Sequence, residues 1–170
     1  MKKYFLYILL ASLFLIQLIR PERNNSGNDT AHIDQKFHIP ENVKSTLQGA
    51  CYDCHSNRTT YPAYAEIQPL GWWLNHHVNE GKEHLNFSAF TNYSDKKQEH
   101  AFEEIIEVVT EKEMPLASYT WFSLHPEAKL TDEQRQNIIS WANEQMVALS
   151  GSLESSEEVP GEGGEEASAD

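Results

Sequence analysis

Residues 50–57 read Ala50-Cys51-Tyr52-Asp53-Cys54-His55-Ser56-Asn57, and the 170-residue chain has 2 cysteines, both in this stretch. Their spacing, C-x-x-C followed directly by histidine, is the attachment signature of c-type haem. On one helical turn, each thiol can add to one of the two haem vinyl groups, while the next residue lies under the iron. The sequence therefore predicts one covalent haem c, held through thioethers at Cys51 and Cys54, with His55 as the proximal iron ligand.

Two other uses of a close cysteine pair fit the chain less well. A thioredoxin-like redox pair is expected between the strands of a βαβ unit, and the flanking sequence predicts no strands. A zinc site would need further cysteines or a suitably spaced histidine pair. His76-His77 does not provide one, because adjacent residues on a helix point in different directions.

Apolar residues recur at helical spacing on both sides of the motif, and alternating β-branched runs are absent. Helices are predicted to begin at Pro40-Glu41, to run from Pro69 to Leu85, to follow an N-cap at Ser94, and to begin at the capping box Thr131-x-x-Gln134. Met114-Pro115 is expected to end the third of these helices, because proline disfavours helical dihedrals in the residue before it. The predicted fold class is all-α, a small cytochrome c-like helical domain over residues 38–149 built around a covalent haem.

The N-terminus has the features of a membrane signal. Met1-Lys2-Lys3 carries positive charge, an apolar run extends from Tyr4 to Ile19, and Arg20-Pro21 ends it. No small-residue cleavage site follows the run, so residues 1–21 are predicted to form an uncleaved signal-anchor, a transmembrane helix. The alternative is a cleaved signal, which would leave the domain free in the periplasm. The positive-inside rule then places the domain in the periplasm, at the outer face of a bacterial inner membrane.

Two segments are predicted to lie outside the folded domain. Residues 22–37 are largely polar and are predicted to be a flexible spacer. Residues 150–170 are rich in Gly, Ser and Glu and are predicted to be a disordered acidic tail, since they offer too little apolar surface to offset their ordering entropy. The net charge of −13 argues against nucleic-acid binding and is compatible with basic redox partner proteins, although much of this charge lies in the tail.

The sixth iron ligand is predicted from position along the chain. Met114 lies well downstream of the motif, at a helix end followed by proline and a last helix, an order similar to that of many small cytochromes c. A thioether ligand favours ferrous iron and raises the reduction potential, whereas a second imidazole lowers it. The imidazole alternatives to Met114 are His76, His77, His84 and His125, and His125-Pro126 could instead form a structural turn.

Several motifs occur together in an order that resembles a known family. Besides residues 50–57 they are Tyr61-Pro62 with Tyr64, Glu80-Gly81-Lys82-Glu83-His84-Leu85-Asn86-Phe87-Ser88, Glu113-Met114-Pro115 and His125-Pro126-Glu127-Ala128. The chain resembles the bacterial haem-binding domain family of exported cytochrome c-like proteins over most of residues 38–149. The resemblance implies a covalent haem and a cytochrome c-like role, and it leaves the first helix and the acidic tail outside the family region.

The expected function is therefore single-electron transfer in the periplasm by a c-type cytochrome. No acid–base or nucleophilic constellation stands out, so a non-enzymatic electron carrier is favoured over an enzyme. The main alternative is a haem enzyme or a gas or redox sensor with an open distal site, in which His84 or His125 acts near the iron. A further alternative is a thiol–disulfide oxidoreductase that carries no haem.

Overall fold

The computed structural model describes residues 2–121 and 124–157, and in this part of the chain all regular structure is helical. The all-α prediction is therefore confirmed. The α-helices are α1 (Lys2–Ile16), α2 (Glu41–Ala50), α3 (Tyr52–His55), α4 (Leu70–His84), α5 (Asp95–Thr110), α6 (Ala117–Thr120) and α7 (Asp132–Glu157). Short 3₁₀ turns at Ile33–Gln35, Ala63–Glu66, Phe87–Asn92 and Pro126–Ala128 connect them.

The main core forms where α5 packs along α7 and α2 closes one side. Its centre is aromatic: Phe102 of α5 contacts Phe37 with ring centroids 5.1 Å apart, and it contacts Trp141 of α7 at 5.7 Å. Phe102 has no exposed surface, and burying such a side chain stabilises a fold by about 1.5–3 kcal/mol. The indole of Trp141 also donates a hydrogen bond to the carbonyl oxygen of His38 at 3.0 Å, which fixes the chain before α2.

Sequence signals predicted most of the helix starts correctly. The Ser94 side chain accepts a hydrogen bond from the amide of Lys97, as expected of an N-cap. At the start of α7, Thr131 and Gln134 form the reciprocal bonds of a capping box, at 3.1 and 2.9 Å. The N-terminal ends of helices are set by such local contacts, which explains why they could be predicted.

The predicted end of α5 is wrong, because the helix ends at Thr110 and not at Met114. Lys112 adopts a positive φ of 62°, which reverses the chain. The carbonyl oxygen of Val108 then accepts hydrogen bonds from the amides of both Glu113 and Met114. A left-handed residue of this kind commonly ends a helix, but it is usually glycine, so a lysine at this position could not be recognised as a helix end.

The predicted flexible spacer, residues 22–37, is instead packed on the domain. Ile33 and Phe37 are buried in the main core. The side-chain amide of Asn24 donates to the carbonyl oxygen of Ser56 at 2.8 Å and to the Thr59 hydroxyl at 2.9 Å. The polar composition of the segment obscured two apolar residues, four positions apart, whose side chains anchor the segment in the core.

The predictions for the two ends of the chain are a transmembrane helix and a disordered acidic tail. Helix α1 covers Lys2–Ile16 with most of its apolar side chains exposed, but in residues 2–121 and 124–157 no helix is long and apolar enough to cross a membrane. The predicted transmembrane helix therefore has no support from the structure. At the other end, α7 continues beyond Leu149 to Glu157. The rest of the predicted acidic tail, residues 158–170, lies outside the described residues.

Candidate functional site

A cavity of about 600 Å³ lies between the helices that carry the cysteine motif, α4, and the C-terminal half of α5. This volume falls within the range of about 300–1,000 Å³ typical of sites for small molecules and cofactors. The residues that line it are Leu47, Ala50, Cys51, Cys54, His55, Trp73, Leu74, His77, Glu80, Gly81, His84, Leu85, Phe87, Glu104, Ile105, Glu107, Val108, Val109, Glu113, Met114, Pro115, Leu116, Tyr119 and Ile138. Most of this lining is apolar, as a hydrophobic cofactor requires.

The cysteine motif forms a single turn that follows α2 directly. The amide of Cys51 bonds to the carbonyl oxygen of Leu47, and the amides of Cys54 and His55 both bond to the carbonyl oxygen of Cys51. Because residues three and four apart on a turn share one face, all three motif side chains lie in the same cavity wall. The helical spacing inferred from the sequence is the spacing that the structure has.

One ring nitrogen of His55 is held by the backbone. His55 Nδ1 lies 3.0 Å from the carbonyl oxygen of Leu85. A carbonyl oxygen only accepts hydrogen bonds, so Nδ1 carries the proton and Nε2 keeps its lone pair. Burial lowers the pKa of His55, although the carbonyl groups of Leu85 and Gly81 oppose this effect. The imidazole is therefore in the neutral form, oriented by a backbone acceptor, that metal-binding histidines adopt.

The two thiols do not have the character of a redox pair. Burial raises the pKa of Cys51 to about 12 and that of Cys54 to about 11. Disulfide oxidoreductases instead lower the pKa of their attacking thiol below the usual value. A zinc site is not supported either, since no three Cys, His, Asp or Glu side chains in the described ranges form a metal-binding group.

Met114 lines the same cavity as the cysteine motif. Its amide bonds to the carbonyl oxygen of Val108 at 3.2 Å. Its own carbonyl oxygen accepts a hydrogen bond from Arg135 Nη1 at 2.8 Å, and the same nitrogen lies 3.1 Å from the carbonyl oxygen of Val109. Arg135 of α7 thus holds the Met114 segment against the end of α5, a role that no sequence signal indicated.

Two of the alternative histidines also reach the cavity. His77 and His84, both on α4, are among its lining residues. His77 packs edge-on against Trp73 at a centroid distance of 4.6 Å. His76 is not among the lining residues and lies at the surface, with Nε2 3.2 Å from a carboxylate oxygen of Glu80.

His125 is also not among the lining residues of the cavity and has other contacts. It is buried, with Nε2 3.0 Å from the Tyr64 hydroxyl and Nδ1 3.3 Å from a carboxylate oxygen of Glu127. Its ring stacks on Tyr119 at a centroid distance of 3.8 Å. These contacts agree with the alternative interpretation of His125-Pro126 as a structural turn.

Tyr119 links this buried histidine to the cysteine motif. The Tyr119 hydroxyl donates to a carboxylate oxygen of Asp53 at 3.2 Å, and the other Asp53 oxygen accepts the amide of Thr60 at 2.8 Å. Burial, followed by the nearby Asp53 carboxylate, raises the pKa of Tyr119. Tyr119 also lines the cavity, so this network supports the wall beside Cys54. Sequence reasoning missed Tyr119 because its contacts come from distant segments.

The residues present fit a covalently attached haem. One apolar cavity of sufficient size brings together two thiols, an imidazole with one free nitrogen and a thioether. Thiolate or thioether sulfur and imidazole nitrogen are the donors that haem proteins use.

Comparison with known proteins agrees with a haem-binding site. A family model described as "Haem-binding domain" matches residues 11–144 of the chain. The match begins within α1, so part of the first helix, which the sequence motifs left outside the family region, belongs to it. No curated protein matches the chain, and no solved structure matches it.

Proposed function

The chain belongs to the haem-binding domain family, with haem as its cofactor, and we propose that it is a c-type cytochrome that carries single electrons in the periplasm. The observation that carries this proposal is the shared cavity of Cys51, Cys54, His55 and Met114. When bound there, haem would supply one-electron chemistry through its Fe(II)/Fe(III) couple.

Each of these residues has a separate role in the proposal. Cys51 and Cys54 would anchor the haem through thioether bonds, which retain it in a cavity that is open to solvent. His55 would bind the iron through Nε2 while Leu85 keeps its ring in place. Met114 would supply the second axial ligand and, through its soft sulfur, favour the reduced state.

Electron transfer is preferred to substrate chemistry because two residues that line the cavity, His55 and Met114, would each hold the haem iron. Iron held by both residues would have no open site for a substrate or a gas. Binding of carbon monoxide to the reduced protein is therefore expected to be slow and weak. Fast, tight binding would instead support the alternative of an enzyme or gas sensor with an open distal site.

We also propose that the protein is held at the outer face of the inner membrane, with the haem domain in the periplasm. The support is the apolar surface of α1, where Tyr4, Phe5, Ile8 and Phe14 are all exposed, next to the positive Lys2 and Lys3. Membrane fractionation, followed by protease treatment of spheroplasts, tests this placement. A haem domain that is released in the soluble fraction or protected inside the spheroplasts would contradict it.

Covalent attachment is tested on protein produced in a host with the haem-attachment machinery. Acid–acetone extraction should leave the haem on the protein, and the alkaline pyridine spectrum should be that of a c-type haemochrome. The Cys51→Ala and Cys54→Ala variants each lose one thioether, so each should shift the haemochrome band toward that of haem with a free vinyl group. Complete extraction of haem from the unmodified protein would refute the assignment as a c-type cytochrome.

A further inference from the structure

A second cavity, of about 170 Å³, lies where the segment after α1 meets the start of α4. Its polar lining residues are two arginines, two glutamates, Tyr61, Gln68 and Asn75. The haem proposal uses none of these residues. Two hydrogen bonds between Gln17 and the backbone of Gln68, and one from the Trp72 indole to the carbonyl oxygen of Ile19, hold the segment in place.

Gln68, one of the lining residues, has a buried side-chain donor without a hydrogen-bond partner in the described part of the chain. The side chain is 2% exposed. Its Oε1 accepts the amide of Trp72 at 3.0 Å, which identifies Nε2 as the other end of the side-chain amide. Nε2 has no hydrogen-bond partner in the described part of the chain. A Cβ at Gly71, another lining residue, would lie 2.9 Å from Nε2 and 3.0 Å from Oε1, so the glycine leaves room for this side-chain amide. An unpaired buried donor costs about 1–3 kcal/mol, so an acceptor is expected here.

The charged residues of the cavity restrict what that acceptor can be. Arg20 and Arg23 both form ion pairs with Glu66, and Glu22 also lines the cavity. A guanidinium group has five N–H donors, so each arginine keeps donors for an anionic oxygen. The two positive and two negative side chains balance each other. A zwitterion therefore fits these walls better than a simple anion.

The surface around the cavity is suited to contact with lipid. Leu18 and Ile19 precede the arginines and are exposed, and Ile67 and Leu70 flank Gln68 and are also exposed. Leu18 and Ile19 continue the exposed apolar residues of α1 along the chain, and the hydrogen bonds of Gln17 bring the end of α1 to the segment that carries Ile67 and Leu70. Apolar contacts beside a site for charged groups match the boundary between acyl chains and headgroups.

We propose that this cavity binds the headgroup of a zwitterionic phospholipid that ends in a primary ammonium, of the phosphoethanolamine type. The phosphodiester oxygens would accept hydrogen bonds from Gln68 Nε2 and the guanidinium groups. The ammonium group would face the carboxylate of Glu22. The inference rests on the membrane association proposed above, and it adds a lipid preference to that association.

The test uses the full haem-loaded chain and compares binding to nanodiscs of phosphatidylethanolamine, phosphatidylcholine or phosphatidylglycerol, each diluted in the same carrier lipid. The phosphatidylethanolamine discs are expected to bind about tenfold more tightly, as one charge-assisted contact requires. Gln68→Glu keeps an acceptor for the Trp72 amide but replaces the donor, and it should abolish the preference. Gln136→Leu, a change at an exposed position on α7, should leave the preference intact. Arg23→Gln provides an independent test if Gln68→Glu fails to fold.

A soluble headgroup separates this inference from the membrane proposal. Glycerophosphoethanolamine is titrated into the detergent-solubilised protein, with chemical shifts of the Gln68 side-chain amide as the signal. Saturable shifts that Gln68→Glu or Arg23→Gln removes support the site, even if no nanodisc binds. Equal affinity for the three lipids, or no shift with the soluble headgroup, would overturn it.

Discussion

Met114 is brought to the cavity by backbone contacts, and its side chain can be tested by itself. Met114→Ala should remove the sulfur-to-iron charge-transfer band from the ferric spectrum and allow carbon monoxide to bind quickly to the ferrous protein. Met114→His should keep the iron six-coordinate and lower the reduction potential, because imidazole stabilises ferric iron relative to a thioether. Absorption spectra and redox titration provide both measurements.

The matched control is Met146→Ala, which removes a thioether that packs against the main core from α7. That variant should lose stability and keep the charge-transfer band. If the band is absent from the unmodified protein, the alternative ligands are His77 and His84, the two histidines that line the cavity. Alanine variants of each would then show which one binds the iron.

His125 is predicted to stabilise the fold without binding iron. His125→Phe keeps an aromatic ring to stack on Tyr119 but loses the contacts with Tyr64 and Glu127. The expected loss is about 1–2 kcal/mol of unfolding free energy, measured by denaturant titration. The haem spectrum should not change. A change in iron coordination in this variant would mean that His125 reaches the haem after all.

Sequence alone was most informative about residues whose role depends on neighbours in the chain. Cys51, Cys54 and His55 share one turn, so their spacing was sufficient to predict that they lie together. Met114 was predicted from its place in the chain order, and the structure puts it in the same cavity. Arg135 and Tyr119 could not be predicted, because their partners are distant in sequence and meet them only after folding.

Helix α4 approaches the cysteine motif closely at Gly81. A Cβ added there would lie 2.8 Å from the carbonyl oxygen of Cys54, well inside normal contact. Gly81→Ala should therefore separate α4 from α3 and lower the unfolding free energy by about 1–2 kcal/mol, since overpacking outweighs the gain in helix propensity. Denaturant midpoints, together with the yield of attached haem, measure the effect.

Gly49 of α2 is the matched control for that substitution. A Cβ there would lie 3.5 Å from the Cβ of Glu127, an ordinary contact. Gly49→Ala should therefore stabilise the protein by about 0.5–1 kcal/mol, the usual benefit of alanine over glycine in a helix. Equal stabilisation by both substitutions would show that α4 does not need glycine at the motif.

The segment that carries Met114 should depend on Arg135 of α7. Arg135→Gln removes the guanidinium that binds the carbonyl oxygens of Val109 and Met114. The segment should then open more often. The substitution should therefore accelerate amide hydrogen exchange more at Glu113 and Met114 than in the middle of α5. Lys129→Gln makes the same charge change at an exposed position and should have no such effect. Unchanged exchange at both amides would contradict the role of Arg135.

For whole helices and segments, the sequence predicted where helices begin better than where helices end or which segments pack on the core. Capping residues such as Ser94 and Thr131 act on their own helix, so they are visible in a short window. The end of α5 depends on a left-handed Lys112, which no residue preference indicates. The packing of residues 22–37 depends on a core that is built mainly by α5 and α7, and polar composition hid it.

The charge of the whole molecule is predictable from the sequence, but its position around the cavity is not. The net charge is −13, and the carboxylates that line the cavity are Glu80, Glu104, Glu107 and Glu113. No lysine or arginine is among the described lining residues. Charges of one sign around a cleft concentrate oppositely charged reactants there and raise their encounter rate. An electron-transfer partner should therefore present a basic surface to this opening.

The reduced protein should react faster with a cationic cobalt(III) complex than with ferricyanide, by about tenfold or more once driving force is taken into account. Increasing salt should reduce this difference in rate, because ions screen exposed charges over about 10 Å at 0.1 M. Stopped-flow oxidation at several salt concentrations measures the effect. Replacing Glu104 and Glu107 by glutamine should reduce it as well. The same change at the exposed Glu133 and Glu144 of α7, which are not among the cavity-lining residues, should have a smaller effect. Equal effects of the two pairs would mean that only net charge matters, and that electrons do not leave through this opening.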